Sequence, residues 1–516
     1  MQAALVALGI LLSRLLGLVR ESLKARYLGA TGGIAADAFN ASFGIPNLLQ
    51  NLFGEGALSA SFIPVYANAV ARGDRDEAGR IASAVGALLA LATALLVLLG
   101  IAFAPLIVPV LAPGFFDAEK RELTIQLTRI LFPGAALFVF SAWCLGILNS
   151  HRRFFLSYAA PVAWNLAMIA ALLFYRRSDP AALAYRIAWA SVAGAALTVL
   201  VQLPVVLRLA VGLRATLGRG NASVRLVLRN FTPAFVGRGV IQISAFIDRV
   251  IASYIAGAVS LLFYTQTVIM LPISLFGMSV SAAELPEMSS AVGSDSDIAA
   301  HIRTRLNAGL RQIAFFVIPS AVAFLLLGDT ILAAIFQSGR FGPVDTMFSW
   351  GILAAASLGL LATTLARLYS SSFYALHDTR TPLRISLIRV TLSASVGFVL
   401  ALYLPRALGI APQWGAAMLA LSSSLAGWVE LTLLRRRMNA RIGQTGLDIR
   451  YAATLAAAAL AAGAAGWGAK AYAAGLHRFA TAALVLGAFG LVYLGLARML
   501  GVPEVSGVME RLRRRR

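Results

Sequence analysis

The sequence predicts an all-α polytopic membrane protein with about 14 transmembrane helices, and two observations lead to that fold class. First, 59% of the 516 residues are hydrophobic and only 13% are charged, whereas a soluble domain carries about 25% charged residues. Second, apolar runs recur along the chain between short polar loops, and each can cross a hydrocarbon core of about 30 Å, which takes about 20 helical residues. We therefore expect two six-helix lobes followed by two C-terminal helices.

Fourteen apolar runs are the predicted spans. In chain order they cover residues 2–28, 34–62, 80–112, 121–148, 155–176, 181–207, 230–256, 259–288, 309–336, 345–375, 382–404, 409–434, 450–474 and 478–500. The first run continues into a charged helix without a small-residue cleavage site, so it is expected to be retained as a span. Prolines inside the runs predict kinks or interruptions; they are Pro46, Pro64, Pro272 and Pro286.

The predicted domain organisation follows the spans. The predicted parts are 1–207, an N-lobe of helices 1–6; 208–229, a cytoplasmic amphipathic linker; 230–434, a C-lobe of helices 7–12; and 435–516, helices 13 and 14 with a basic tail. A weak internal echo supports two lobes, because Ile45–Pro64 and Leu271–Pro286 both run from one proline through glycine and serine to another. Transporters built from repeated halves commonly hold their substrate between the halves.

The formal net charge of +22 is distributed unevenly over the predicted loops. Arginine gathers in alternate loops, for example 72–80, 208–229 and 435–441, and again in the tail at 511–516. This asymmetry follows the positive-inside rule and places both termini in the cytoplasm. The basic tail is expected to bind anionic lipids rather than nucleic acid. The single cysteine, Cys144, is expected to be a packed apolar side chain.

The first two spans contain charged and polar residues that the hydrocarbon core disfavours, at roughly 2.5–3.5 kcal/mol per charge. At 100° per residue, one stripe of the first helix spans roughly 120° and one stripe of the second roughly 80°. The first stripe contains Arg14, Arg20, Glu21 and Lys24, and the second contains Asp37, Asn40, Asn47, Asn51 and Glu55. Facing stripes would wall a wet cavity whose surplus cations suit an anionic ligand such as phosphate. The alternative is a set of internal ion pairs that only pins the helices together.

Several stretches resemble the MurJ/MviN family of lipid II flippases. They are SRLLGLVRE (Ser13–Glu21), ADAFNASFGIPNLLQNLFGEGALSASFIPVYA (Ala36–Ala67), APGF (Ala112–Phe115), RRF (Arg152–Phe154), AAPVAWN (Ala159–Asn165), IDR (Ile247–Arg249), IFQSGRF (Ile335–Phe341) and FYALHDTRTP (Phe373–Pro382). The resemblance implies a member of the MOP exporter superfamily with a central cationic cavity. It also implies that helices 13 and 14 form a hydrophobic groove for a polyprenyl tail.

Carried over by position, the resemblance implies that Arg14, Arg20 and Asp37 are functional charged residues, with Glu21 where the family usually has Asp. Two positions depart from the family, because Gln50 and Thr267 stand where it commonly has arginine. Arg249 is expected either to supply a second-lobe cation in place of the one missing at Thr267 or to pair with Asp248 at a helix end. The predicted substrate-binding set is Arg14, Arg20, Glu21, Lys24, Asp37, Asn47, Gln50, Asn51, Glu55 and Arg249.

The implied activity is to move undecaprenyl-pyrophosphate-linked disaccharide-pentapeptide from the inner to the outer leaflet of the bacterial cytoplasmic membrane by alternating access. Three alternatives stay open: a flippase for another lipid-linked oligosaccharide, a cation-coupled small-molecule exporter, and a non-transporting scaffold of wall synthesis. No enzyme motif, catalytic residue, metal site or cofactor is expected. The membrane potential, a gradient of a monovalent ion or consumption of the product is expected to supply energy. Expected partners are the glycolipid, membrane lipids and the cell-wall synthesis machinery.

Overall fold

The computed structural model describes residues 2–210, 212–214, 216–218, 220–290, 293–473 and 475–505, and every regular element among them is a helix. The predicted all-α class is therefore confirmed. Contacts between residues divide the chain into two units. The first unit is Met1–Ser260 with Gly339–Phe341, and the second is Leu261–Ser338 with Gly342–Arg516. The predicted lobe and linker boundaries stay a prediction.

The long helix α6 is the element against which many helices of the first unit pack. In chain order the elements are α1 (Gln2–Leu28), α2 (Ile34–Leu49), a π-helix (Gln50–Leu58), α3 (Ser59–Ala71), α4 (Arg75–Ala102), α5 (Ala104–Leu111), α6 (Ala118–Ser150), α7 (Phe154–Ala159), α8 (Pro161–Phe174), α9 (Pro180–Leu209) and α10 (Ala222–Ser253). Helix α6 packs against α2, α4 and α9, while α1 packs against α7 and α8. Helix α10 packs against α3 and the π-helix.

The next helix, α11 (Ala258–Pro272), begins in the first unit and continues into the second. The second unit then contains a π-helix (Ile273–Met278), α12 (Ser279–Ser289), α13 (Asp295–Ile335), α14 (Pro343–Ala375), α15 (Arg380–Leu402), α16 (Leu404–Ala407), a 3-10 turn (Pro412–Trp414), α17 (Gly415–Ile442), α18 (Ile449–Tyr472) and α19 (Arg478–Met499). Helix α14 packs between α13 and α17, and α17 also packs against α15. The alanine-rich pair α18 and α19 pack against each other and against α13.

Within the described residues, eleven helical segments are long and apolar enough to cross a membrane. They are Arg75–Ala102, Ala118–Ser150, Phe154–Phe174, Pro180–Leu209, Ala258–Ser289, Asp295–Ile335, Pro343–Ala375, Arg380–Ala407, Pro412–Ile442, Ile449–Tyr472 and Arg478–Met499. Each coincides with a predicted span, and helices also cover the other three predicted spans, at 2–28, 34–62 and 230–256. The full count of fourteen spans stays a prediction. Large apolar side chains on α4 are more than half exposed, as expected for a lipid-facing surface; they are Leu91, Leu95 and Leu98.

Two π-helices interrupt the helices at the places where proline predicts irregularity. Gln50–Leu58 lies between Pro46 and Pro64, and Ile273–Met278 directly follows Pro272. A π-turn replaces the hydrogen bond from residue i to i+4 by one from i to i+5, so it changes which side chains share a face. The two segments that echo each other in the sequence therefore both contain a π-helix, one near the start of the first unit and one near the start of the second.

Candidate functional site

A buried carboxylate on α1 is shared by two cations of the same helix. Glu21 Oε2 lies 2.5 Å from Lys24 Nζ, and Glu21 Oε1 lies 2.6 Å from Arg20 Nη2. Glu21 and Lys24 are 3% and 2% exposed. The three side chains therefore form one ion cluster with a net charge of +1, which is the one-sided positive face that the sequence predicts.

Helix α8 holds the guanidinium of Arg20 in place. Arg20 Nη1 donates to Asn165 Oδ1 at 2.8 Å, and the guanidinium carbon lies 4.1 Å from the ring centre of Trp164. Asn165 in turn donates through Nδ2 to the backbone carbonyls of Ser13 and Pro161, at 3.3 and 3.2 Å. Asn165 thus fixes both α1 and the Arg20 side chain.

Sequence reasoning did not assign Trp164 or Asn165 to the site. The available signal is the AAPVAWN stretch, which ends in both residues and belongs to the segments that resemble the family. Arg14 lies on an exposed part of α1, six residues before Arg20 and therefore about 9 Å along the helix axis.

Asp37 is fully buried and accepts hydrogen bonds at both carboxylate oxygens. Oδ2 accepts from Lys120 Nζ at 2.7 Å and from the Gly257 backbone N–H at 2.9 Å. Oδ1 accepts from the backbone N–H and the hydroxyl of Ser260, at 2.9 and 2.7 Å. Asp37 thereby joins α2 to α6, to the segment between α10 and α11 through Gly257, and to the first turn of α11 through Ser260. Lys120 is not among the residues that the sequence assigned to the site, and its ammonium also lies 3.9 Å from the ring centre of Phe115.

The remaining polar residues of the second predicted stripe are partly described. Asn47, at the end of α2, and Gln50 and Asn51, in the π-helix, are half-buried. The side chain of Glu55 lies outside the described residues. The angular arithmetic for a regular α-helix applies only as far as Leu49, because a π-turn contains more residues than an α-turn. The prediction that Asn51 and Glu55 continue the narrow polar stripe of α2 assumed a regular α-helix, and the π-helix removes that assumption after Leu49.

Arg249 lies on α10 in the first unit and faces α2. Its Nη1 is 3.5 Å from the backbone carbonyl of Gly44, with which it lines a small cavity. A Cβ atom at Gly44 would lie 2.7 Å from that nitrogen, so glycine leaves the space that the guanidinium occupies. Asp248 lies close enough to Arg249 for electrostatic interaction. In the second unit, Thr267 donates its hydroxyl to the backbone carbonyl of Phe263 at 3.3 Å.

Comparison with known proteins gives consistent results for sequence and fold. The family model described as "Lipid II flippase MurJ" matches residues 24–489. The probable lipid II flippase MurJ of Rhizobium tropici is 33% identical over 436 residues, which cover 82% of this chain and 79% of the relative. The lipid II flippase MurJ of Burkholderia cenocepacia is 34% identical over 384 residues, which cover 73% of each chain.

Two solved structures share the fold. A lipid II flippase MurJ in an inward closed conformation superposes with a TM-score of 0.77 at 24% identity, covering 96% of this chain and 98% of that one. An inward-facing multidrug resistance MATE family transporter of the MOP superfamily gives 0.66 at 18% identity, covering 83% and 95%.

Proposed function

The chain belongs to the lipid II flippase MurJ family, and we propose that it moves lipid II from the inner to the outer leaflet of the bacterial cytoplasmic membrane. It is a transporter and not an enzyme. The observation that carries the proposal is the ion cluster on α1, where Arg20 and Lys24 share a single carboxylate, that of Glu21. A charge surplus at membrane depth is costly unless it serves a ligand or a pathway.

The chemistry of the substrate fits this surplus. A pyrophosphate-linked sugar head group is strongly anionic and cannot cross the hydrocarbon core without losing its hydration. Arginine offers planar, bidentate donors to phosphate oxygens, and lysine adds a compact positive charge. The polyprenyl tail is apolar, so it can remain in lipid while only the head group needs a polar path.

We further propose alternating access between the two lobes, as in transporters built from repeated halves. In this proposal both termini face the cytoplasm, the basic tail contacts anionic lipids, and the membrane potential, a monovalent ion or removal of the product drives the cycle. The wall-synthesis machinery that uses lipid II is the proposed partner on the outer side.

A second candidate is a flippase for another pyrophosphate-linked oligosaccharide. Gln50 and Thr267 favour it, because each replaces an arginine that the resemblance implies, and both changes remove donors for phosphate or sugar oxygens. A small-molecule exporter is disfavoured by coverage, since the MurJ structure matches 96% of this chain and the MATE structure 83%.

Complementation tests the proposal. A host depleted of its own lipid II flippase should regain growth and outer-leaflet lipid II when this chain is expressed. Arg14→Ala and Arg20→Ala should each abolish rescue, whereas Arg26→Gln should retain it because Arg26 is exposed at the end of the same helix. Rescue by all three variants at the wild-type level would show that the α1 cations are not needed. Rescue of another polyprenyl-linked glycan pathway, without rescue of lipid II transport, would favour the second candidate.

Asn165 provides a sharper test of the same site. Asn165→Asp keeps an oxygen acceptor for Arg20 and adds a negative charge beside the guanidinium, but it loses the Nδ2 donor to the carbonyls of Ser13 and Pro161. We therefore expect lipid II transport, measured per amount of folded protein in the membrane, to fall at least tenfold, because the new carboxylate competes with phosphate for Arg20. Transport at the wild-type rate in Asn165→Asp would indicate that Arg20 does not contact the substrate.

A further inference from the structure

The second unit contains a group of charged side chains, with one serine hydroxyl, that the site on α1 does not include. Here this group is called the Arg367 cluster, and it consists of Arg367 on α14, Ser386 and Arg389 on α15, and Glu430 on α17. Ionisable residues inside membrane-spanning helices are functional candidates by default, because their burial in the bilayer is costly.

Glu430 is the only carboxylate of the cluster and lies at its centre. Its side chain is 9% exposed, its Oε1 accepts a hydrogen bond from Ser386 Oγ at 2.9 Å, and its Oε2 lies 3.5 Å from Arg389 Nε. Arg367 lies within electrostatic range of both Arg389 and Glu430. The two guanidinium groups and one carboxylate leave a net charge of +1.

One arginine of the cluster contacts its carboxylate as an ion pair without a well-formed hydrogen bond. Within the described residues, Arg389 Nε is buried without a partner that meets the geometry of a hydrogen bond. The Arg389 side chain as a whole is 30% exposed, and the Arg367 side chain is exposed. Arg389 and Arg367 carry two positive charges against one carboxylate and keep accessible surface, which suits them to bind an anion from outside the cluster.

The cluster lies well inside the helices that carry it. Arg389 is nine residues after the start of α15, and Arg367 is eight residues before the end of α14. At about 1.5 Å per residue, both lie about 12–14 Å from the helix ends that the arginine asymmetry assigns to the cytoplasm. At that depth an exposed guanidinium requires water, a counter-charge or a ligand.

We propose that the Arg367 cluster is a phosphate-binding site of the second unit and that it contacts the pyrophosphate of the transported lipid. It supplies the cation that the resemblance implies at the position of Thr267, since Arg249 lies in the first unit against Gly44. Glu430 orients Arg389 through the ion pair with its Nε, and the accessible guanidinium groups of Arg367 and Arg389 bind phosphate oxygens. This inference rests on the proposed function, because it takes the substrate to be a pyrophosphate lipid.

Binding of lipid II to the full chain in neutral phospholipid nanodiscs tests the proposal. Arg367→Gln and Arg389→Gln should each weaken binding by about 10- to 100-fold, the range expected for one lost hydrogen bond to a charged group. Arg384→Gln is the matched control, because Arg384 is an exposed arginine on the same helix as Arg389, and its binding should be unchanged. Glu430→Gln keeps an amide oxygen that can accept from Arg389 or Ser386 and removes a competing negative charge, so it should bind lipid II as well as the wild type or better.

The outcomes separate this inference from the proposed function. If the wild type binds lipid II and complements, but Arg367→Gln and Arg389→Gln bind it equally well, the inference fails and the proposed function stands. If Arg389→Gln and Glu430→Gln lose thermal stability and binding together, the cluster is an internal ion pair and the inference is again wrong. If anionic phosphatidylglycerol in the nanodisc displaces lipid II only from the wild type and Arg384→Gln, the site binds phosphate as proposed. If the wild type does not bind lipid II, both proposals fail.

Discussion

Asp37 and Arg20 show how differently two charged side chains can be used within predicted membrane spans. Asp37 is surrounded by four hydrogen bonds from Lys120, Gly257 and Ser260, which occupy its lone pairs and leave it without exposed surface. Arg20 is held from one side by Asn165 and Glu21, and a guanidinium carries five donors. Asp37 is therefore a positioning residue in our interpretation, while Arg20 retains donors for a ligand.

This distinction predicts a stability defect for Asp37→Ala. The change leaves the Lys120 ammonium buried without its carboxylate, and breaking a buried ion pair by removing one partner costs about 3–5 kcal/mol. We expect a clear fall in the midpoint of thermal unfolding of the purified protein and less folded protein in the membrane. The control is Asp76→Ala, because Asp76 is exposed at the start of α4.

The double variant Asp37→Leu with Lys120→Met separates the two roles of the pair. Replacing both charges with apolar side chains of similar size removes the unpaired charge, so part of the lost stability should return. Normal stability of Asp37→Ala alone would contradict the positioning role. Full stability of the double variant without transport would instead show that Asp37 or Lys120 acts in transport itself.

At the scale of elements, the loop that carries the APGF stretch shows what sequence could and could not predict. The motif was recognisable as a family resemblance, but its physical reason appears only in the fold. Gly114 donates its backbone N–H to Ser253 Oγ at 2.9 Å, and a Cβ atom at Gly114 would lie 2.3 Å from the backbone nitrogen of Tyr254. The loop between α5 and α6 thus approaches the end of α10 so closely that only glycine fits.

Gly114→Ala is therefore expected to destabilise the first unit by several kcal/mol, because the clash is with backbone and cannot be relieved by rotating a side chain. Gly32→Ala is the matched control: it is also a loop glycine of the first unit, and an added Cβ would meet nothing within 4 Å. Thermal unfolding of both variants in detergent measures the difference. Equal stability of the two variants would mean that α10 does not pack against this loop in solution.

The π-helices mark the limit of prediction at this scale. Proline at 46, 64, 272 and 286 predicts irregular helices, and the structure has one π-helix between Pro46 and Pro64 and another directly after Pro272, whereas Pro286 lies within α12. That the irregular segments are π-helices was not predictable from the sequence. A π-turn has no clear residue signature, because tertiary packing determines which backbone hydrogen bonds form. For that reason the positions of Gln50 and Asn51 around the helix could not be derived from residue spacing.

At the scale of the whole molecule, the spans were more predictable than the contacts between them. Long apolar runs determine where helices cross a bilayer, and all fourteen predicted spans coincide with helices of the described residues. The pairing of Asp37 with Lys120 joins residues 83 positions apart, and Arg20 with Asn165 joins residues 145 positions apart. No local pattern specifies such partners, so the sequence could identify the charges but not their roles.

Orientation in the membrane is the property of the whole molecule that charge distribution predicts and that an experiment must decide. Arginine-rich loops are retained on the cytoplasmic side, which places 72–80, 214–225 and 435–445 inside and 29–33, 113–119 and 404–412 outside.

Single cysteines are introduced at Arg75 and Asp117 after Cys144→Ala, since Cys144 is fully buried and its replacement removes background labelling. Both positions are exposed, so each should react with a maleimide when the reagent can reach its side of the membrane. An impermeant maleimide applied to intact cells should label Asp117→Cys, and should label Arg75→Cys only after permeabilisation. The reverse labelling pattern would contradict the proposed orientation. It would also reverse the end of α1 from which a substrate made in the cytoplasm approaches the α1 cations.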